Sequence, residues 1–466
     1  MTLQVYSLID SQQRILLSHS QQKIPQIKKY FHSQKETYRF RAGLEVERPL
    51  IQKTNGGLIY IPAGVNIAKA LGHATEPDAH TSEYASPPFL DLEALIRNIG
   101  STYLTSRGFL RDKGIDYGAG STIMLPEPIF IRTDPKNPYH SFIEKYFGTT
   151  VRTASIHINN SVIGLPVSER LNKLTEIADF LRLEAALYLG LSSSSPFHDG
   201  KSTGWQSFRT KLFPSYPNPE GIPFFSNHAE YIDWFGYLPN KYLRGLSSAF
   251  SNLRPKDETH ISRTLELFNE QGFPQAAQKA ARLLWTSARL NGPRRPDQVD
   301  RVELRICDLP NDLTVAVALT ALVQLRTNQL LQNPDMINIP RGLEDQRQLA
   351  QICRENELAV AEHGLDAEIK LPAHRDFKDK TTTPRKFLEG LFGDQETQTL
   401  IKQMGHQRWI QRLERVLTEG NDASRMITQF EELISQGKSE IEAIETVLRT
   451  AMQETEQFDR NLIGLN

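Results

Sequence analysis

The stretch Phe40-Arg-Ala-Gly-Leu-Glu-Val-Glu47 decides how the rest of the chain is read. It reads as a short apolar strand that ends by presenting two carboxylates, Glu45 and Glu47. In a strand, residues two apart share a face, so the two carboxylates lie side by side while Val46 anchors the opposite side. Two anions held that close call for a cation. Taken alone the pair reads as a solvated edge strand, because acidic side chains are mostly exposed. Three later stretches repeat the design and turn the reading toward a site.

The first of these holds Glu76-Pro77-Asp78 and Glu83-Tyr84, closed by Pro87-Pro88, three carboxylates in eight residues that read either as a polar turn or as more acidic ligands. The second is Val151-Arg-Thr-Ala-Ser-Ile-His-Ile-Asn159, where a strand would put Ser155, His157 and Asn159 on one face and Ile156 and Ile158 on the other. The third, Val302-Glu-Leu-Arg-Ile-Cys-Asp-Leu309, sets Glu303, Arg305 and Cys307 against Val302, Leu304 and Ile306. Between them, Trp285–Arg295 reads as a loop whose Arg289, Arg294 and Arg295 suit phosphate or carboxylate recognition. Pro196–Gly204, rich in turn formers and hydroxyls and followed by Arg209, is either a surface loop or the lip of a pocket.

Around these stretches the chain is organised simply. Asn55-Gly56-Gly57 predicts a hairpin, so the acidic strand leads into an antiparallel meander. Leu90–Leu104 and Ser168–Leu191 have helical spacing, and from Asp312 onward the chain reads as almost entirely helical: Leu313–Leu331, Glu344–Ala361, Pro384–Phe392, Glu396–Glu419, Asp422–Leu433 and Ser439–Met452. Ser439 and Glu442 form a capping box for the last helix, and the tail after Gln453 reads as disordered. Before Tyr38 the Gln/Lys-rich run Gln21–Tyr30 suggests an amphipathic helix and no chemistry.

Composition sets the bounds. Lys and Arg number 54 against 55 Asp and Glu, a net charge of −1, so no global field draws nucleic acid or an acidic membrane, and any anionic ligand needs a local cluster. Only Cys307 and Cys353 occur, which excludes a disulfide framework and suits a reducing cytoplasm. Neither a signal peptide nor a membrane span is read. Carboxylates with one imidazole suit hard divalent ions such as magnesium or manganese, which commonly hold nucleoside triphosphates. There is no Walker-type or kinase-type glycine loop. Residue chemistry thus reaches a metal-dependent, phosphate-handling enzyme on an antiparallel sheet, with a metal hydrolase fitting the same residues.

Six segments, in order, resemble the glutamate–cysteine ligases and related carboxylate–amine ligases of the cyanobacterial type. They are Gly43–Glu47, Glu76–Asp78 with Glu83-Tyr84 and Pro87-Pro88, Arg132–His140, Thr153–Asn159, Ser194–Gly204 and Asp300–Leu309. The resemblance implies an α+β fold: a curved, mostly antiparallel sheet, the funnel of glutamine synthetase, with surrounding helices and a helical C-terminal region. It implies an N-terminal extension over 1–38, a catalytic domain over 39–335 and a helical region over 336–466 packed on that domain. The implied reaction uses ATP and magnesium to phosphorylate the γ-carboxylate of glutamate, which the amine of cysteine then attacks to give γ-glutamylcysteine, the first step of glutathione synthesis. By match to the family, Glu45, Glu47, Glu76, Glu83, His157 and Glu303 hold metal, with Arg305, Glu303 and His157 as the catalytic set. Substrate-binding candidates are Asn159, Arg132, Ser195, Asp199, Thr203, Arg209, Arg289 and Arg295. The alternatives are the same chemistry with another amine acceptor, or a nucleotide-binding relative without turnover. Where the family continues His-Ile-Asn with Val-Gly, this chain has Asn160-Ser161-Val162, a change expected to alter the pocket wall and with it the acceptor.

Overall fold

The computed structural model describes residues 37–76, 78–126, 131–134, 152–212, 224–225, 227–231, 286–291, 300–340, 342–375 and 380–461. The chain divides into Met1–Thr37 and Tyr38–Asn466, and the second unit carries the features that follow. The helix expected at Gln21–Tyr30 and the candidates Arg294 and Arg295 lie outside the described residues.

The frame is β1, Arg39–Thr54, a strand of 16 residues. The expected hairpin follows: Asn55-Gly56 turns the chain into β2 (Gly57–Tyr60), with Gly57 opposite Thr54 at φ 133, a conformation that needs glycine. Then come α1 (Gly64–Leu71), β3 (Ala74–Thr75), β4 (Thr81–Ala85), α2 (Leu92–Arg111), β5 (Ile115–Tyr117), β6 (Ile156–Ile163), α3 (Val167–Leu183) and α4 (Ala185–Ser192). A small hairpin, β7 (Phe197–His198) and β8 (Lys201–Ser202), precedes α5 (Phe208–Leu212), β9 (Ala288–Asn291) and β10 (Arg301–Leu304). The rest is helical apart from one short hairpin: α6 (Leu313–Gln332), α7 (Leu343–His363), β11 (Ile369–Lys370), β12 (Thr381–Thr382), α8 (Pro384–Gly393), α9 (Gln395–Met404), α10 (Gln407–Glu419), α11 (Asp422–Ser435) and α12 (Glu440–Asn461).

Eight strands make one antiparallel sheet in the order β3-β4-β1-β6-β10-β9, and β2 and β5 pair with the far end of β1. Period-two alternation splits the sheet into two chemistries. Phe40, Ala42, Leu44 and Val46 of β1, Ile156 and Ile158 of β6, and Val302 and Leu304 of β10 enter one apolar core with α2, α3 and α6. α6 is buried along nearly its whole length, which is why its sequence is apolar all round rather than striped. Residues at odd positions of β1 and β6 and their neighbours face the other way and carry the polar side chains.

Several sequence expectations change. The strand expected at Val151–Asn159 starts at Ile156 and runs on to Ile163. The single helix expected at Ser168–Leu191 breaks at Glu184, a fully buried carboxylate that receives the Nε of Arg326 from α6 at 3.0 Å. Glu396–Glu419 is two helices, because Gly405 at φ 70 ends the first. The capping box is present, with Glu442 N donating to Ser439 Oγ and Ser439 N to Glu442. Past Gln453 the chain stays helical as far as Asn461: α12 continues because Thr455 and Asp459 are buried, and Asp459 receives both Arg48 and Arg107.

Asn160 is also not where it was expected. It lies opposite Ala42 and Val302 on the core side of β6, 2% exposed, and neither atom of its amide has a hydrogen-bond partner among the described residues. The residue of the departure that does face the site is Ser161, whose Oγ donates to the carbonyl of Asp300 at 2.7 Å. Among the described residues, no helix is long and apolar enough to cross a membrane.

Candidate active site

Strand register assembles most of the site, and Glu76, Ser155 and Arg305 join it from positions next to the strand ends. Glu45 lies directly opposite His157, Glu47 opposite Glu83, Glu303 opposite both Asn159 and Arg289, and Arg301 opposite Asn291. Directly opposed side chains on one face are close neighbours, so residues from 45 to 303 meet because the hydrogen-bond ladder puts them in rows.

His157 stands at the centre. Its Nδ1 donates to Glu45 Oε2 at 3.0 Å and lies 3.6 Å from Glu303 Oε1. Its Nε2 lies 3.1 Å from Ser155 Oγ, which itself donates to Glu47 at 2.8 Å. Asn159 Nδ2 donates to the other oxygen of Glu45 at 3.2 Å. On the far side Glu303 receives Arg289 through Nε and a terminal nitrogen, both at 3.0 Å, together with Asn291 at 2.5 Å, and Arg305 Nε stands 3.2 Å away. One buried carboxylate thus sits between two guanidiniums while its own edge faces the imidazole.

Charge states follow from this packing. Burial works against the ionised form of Glu303, yet Arg289, Arg305 and His157 outweigh it and hold the carboxyl well below its ordinary range. Burial and the Glu303 charge push Glu45 up, and the hydrogen bond and charge of His157 with Arg289 bring it to a net lowering. Burial, then the Arg289 charge, lowers Arg305 to about 10. Glu76 and Glu83 behave oppositely: burial first and the Glu47 charge next raise Glu76 to about 7, and burial with Glu76 raises Glu83 well above the usual range. The Glu76 charge beside Glu83 works against ionising both carboxyls together.

The donors fit a divalent cation. Glu45, His157 and Glu303 each offer one ligand atom, and these atoms lie within 4.8 Å of one another. Two carboxylate oxygens with one imidazole match magnesium or manganese better than a thiolate-preferring metal.

A model of glutamate–cysteine ligase family 2 matches residues 41–450. The chain belongs to that family. A protein of Gloeobacter violaceus provisionally named glutamate–cysteine ligase 2 is 24% identical over 400 residues, spanning 82% of this chain and 90% of that one. One from Sorangium cellulosum with the same provisional name is 27% identical over 245 residues, 52% of this chain and 51% of that one. In fold the chain is similar to the glutamate–cysteine ligase of Francisella tularensis solved with AMP, with a TM-score of 0.63 at 12% identity, covering 92% and 93% of the two chains. It is also similar to a bifunctional glutathione synthetase from Pasteurella multocida, at a TM-score of 0.55 and 14% identity, over 91% of this chain and 56% of that one.

Not every candidate of this family-2 chain reaches the cluster. Ser195 Oγ donates to Asp308 at 2.7 Å, Thr203 Oγ1 to the carbonyl of Pro196 at 2.8 Å, and Asp199 takes φ 50 in the turn between β7 and β8. Thr203 and Asp199 shape their own loop, and Ser195 ties its start to Asp308. Arg209 is buried and spends its guanidinium on the carbonyls of Arg305 and Ile306, both at 3.1 Å, so it meets the site through the backbone of Arg305. Arg132 pairs with Asp78 only through an isolated antiparallel backbone bridge. Arg289 is better placed than expected: it belongs to a strand, β9, where a loop was read from the turn-forming residues around it. Sequence reading passed over Arg301, whose Nε donates to Asn159 Oδ1 at 2.6 Å, although its place two residues before Glu303 puts it on the same face.

Proposed function

We propose that this chain is an ATP- and magnesium-dependent carboxylate–amine ligase that joins the γ-carboxylate of glutamate to the amine of cysteine. The observation that carries the reading is Glu303, fixed between Arg289 and Arg305 and facing His157 and Glu45. Acyl activation places phosphate oxygens and carboxylates side by side, and alternating anions and cations on one rigid face suit that charge pattern.

Magnesium, or manganese in its place, would be held by Glu45, His157 and Glu303, with Glu47, Glu76 and Glu83 beside them, and would supply charge neutralisation for phosphate oxygens. An oxygen of the glutamate γ-carboxylate attacks the terminal phosphorus of ATP, and the bond to ADP breaks. Arg305 would set its positive charge against the charge that develops there, while Arg289 holds Glu303 in place through its guanidinium fork. The acceptor amine then attacks the acyl carbon and releases a proton to solvent, and the bond between that carbon and the bridging oxygen breaks, its electron pair leaving with phosphate. Ser155 and Asn159 keep His157 and Glu45 in one orientation, so the face needs little rearrangement during the reaction. Residues 39–335 would form the catalytic part and 336–466 the helical support, with action in the cytoplasm.

The test is ADP release, with mass spectrometry of the product, from protein given ATP, magnesium, glutamate and a panel of amines. A γ-glutamylcysteine product that outpaces all others supports the proposal. Turnover with a different amine keeps the chemistry and changes the acceptor. ATP binding without turnover, or hydrolysis that needs no amine, refutes it.

A further inference from the structure

Arg301 opens β10 and shares the site face with Glu303, opposite Asn291 of β9. Its Nε is committed to Asn159, and Asn159 in turn donates to Glu45. One edge of the guanidinium is therefore fixed in direction by the same amide that orients a site carboxylate. The two terminal nitrogens make no hydrogen bond or ion pair with any described residue, and the side chain is half-buried rather than solvated. Arg289 and Arg305, one and two rows inward, are both engaged with Glu303. A second cation stands on the same face: Arg41 of β1 lies opposite Ser161 of β6, in the row that Arg301 also joins, and it is exposed with no ion pair among the described residues. Among the described residues the outer row of the face thus carries the two cations and no carboxylate, while the inner rows carry the carboxylate cluster.

A guanidinium locked along one edge, with its paired terminal N–H groups turned out, is shaped to receive a carboxylate through two parallel hydrogen bonds. We propose that Arg301 is a substrate-binding residue that clamps a carboxylate of an amino-acid substrate, with Arg41 adding charge at the rim. The inference rests on the ligase reading for the identity of the substrates. The carboxylate comes either from the α-position of the glutamate donor or from the amino-acid acceptor. For glutamate the clamped end is remote from the reacting γ-carboxyl, whereas for the acceptor it is bonded to the carbon that bears the reacting amine; in both cases the inner rows handle the phosphate.

Arg301→Gln is the informative variant, because its amide can still donate to Asn159 while the fork is lost. Binding is measured by calorimetry on the whole protein, for glutamate against γ-aminobutyrate, which lacks the α-carboxylate, and for cysteine against cysteamine, which lacks its carboxylate. The wild type should prefer one carboxylate-bearing member of a pair, and Arg301→Gln should weaken that member about tenfold to a hundredfold while leaving its decarboxylated partner nearly unchanged. The affected pair names the source. Arg301→Lys should recover only part of the loss, and Arg41→Gln should cost less than either. In turnover assays the loss should fall in KM of that substrate and not in kcat. The inference is overturned if Arg301→Gln discriminates both pairs as well as the wild type, if it lowers kcat equally for all substrates, which would make Arg301 only a brace for Asn159, or if the wild type shows no preference in either pair. The calorimetry needs no turnover, so an inactive protein would refute the ligase reading and leave this result to be read separately.

Discussion

Arg48 and Asp459 are 411 positions apart in the chain and form a buried ion pair, with two guanidinium nitrogens at 3.1 and 3.3 Å from the carboxylate. Arg48 follows Glu47 on β1 but points the other way, its guanidinium 4.1 Å from the ring centre of Tyr103, and Arg107 of α2 meets the same Asp459. The last helix is thereby bolted to the strand that carries the site. Asp459→Ala should leave Arg48 buried without an anion, Arg107 keeping Asp116, and cost about 3–5 kcal/mol in urea unfolding. A loss below about 1 kcal/mol, in the range of a solvated surface pair, would contradict the buried network.

Glu303 and Glu45 should separate stability from chemistry. Glu303→Gln removes the anion between Arg289 and Arg305, so both turnover and thermal stability should fall, the former by at least about a hundredfold. The Glu45 side chain is 22% exposed and is not enclosed between cations, so Glu45→Gln should lose comparable turnover with a melting temperature near the wild type. Equal melting temperatures for the two variants would show that Glu303 does not balance the arginines.

Asn160 is a polar group in an apolar layer, with both amide atoms unsatisfied. Asn160→Val should stabilise the protein by about 1–3 kcal/mol, because the desolvation cost disappears and a β-branched side chain suits a central strand. Chemical denaturation settles it, and a destabilised variant would mean the amide is satisfied in solution.

His406 gives the acid limb of stability. Burial pushes it down to about 4, and it lies 2.9 Å from Gln324 Oε1. The unfolded imidazole takes up its proton near pH 6.5 and the folded one only near 4. As pH falls through that window the unfolded state binds more protons, so the contribution is whole above pH 6.5 and is lost toward 4. It amounts to about 3 kcal/mol at most. His406→Asn, which keeps a good helix-capping residue before α10, should flatten the pH dependence of the melting temperature between 6.5 and 4. An unchanged slope would place the titration elsewhere.

What the sequence disclosed was the periodic part. Glu45, Glu47, His157, Asn159 and Glu303 were legible because two-residue alternation fixes a face before any contact is known. Arg289 was read as a loop residue because Asn291-Gly292-Pro293 and Pro296 crowd a strand of only four residues. Ser195 and Arg209 misled for a different reason: hydroxyls and a guanidinium look ready for substrate, yet Asp308 and the carbonyls of β10's continuation take them inward. No local pattern reveals such partners. The same holds for Glu184, whose partner is 142 positions away, and for α12 beyond Gln453, which is kept helical by Arg48 near the start of the fold.

β1 is hydrogen-bonded on both flanks, by β4 and β6 along its first part and by β2 and β5 along its last. It therefore tolerates replacement far better than insertion or deletion. One added residue between Arg41 and Arg48 would turn Glu45 and Glu47 into the apolar layer and Leu44 and Val46 out of it, or else tear Arg48 from Asp459. Across relatives this segment should vary in side chain while its length stays constant, and length changes should collect at the Asn55-Gly56 turn, where no pairing constrains the count.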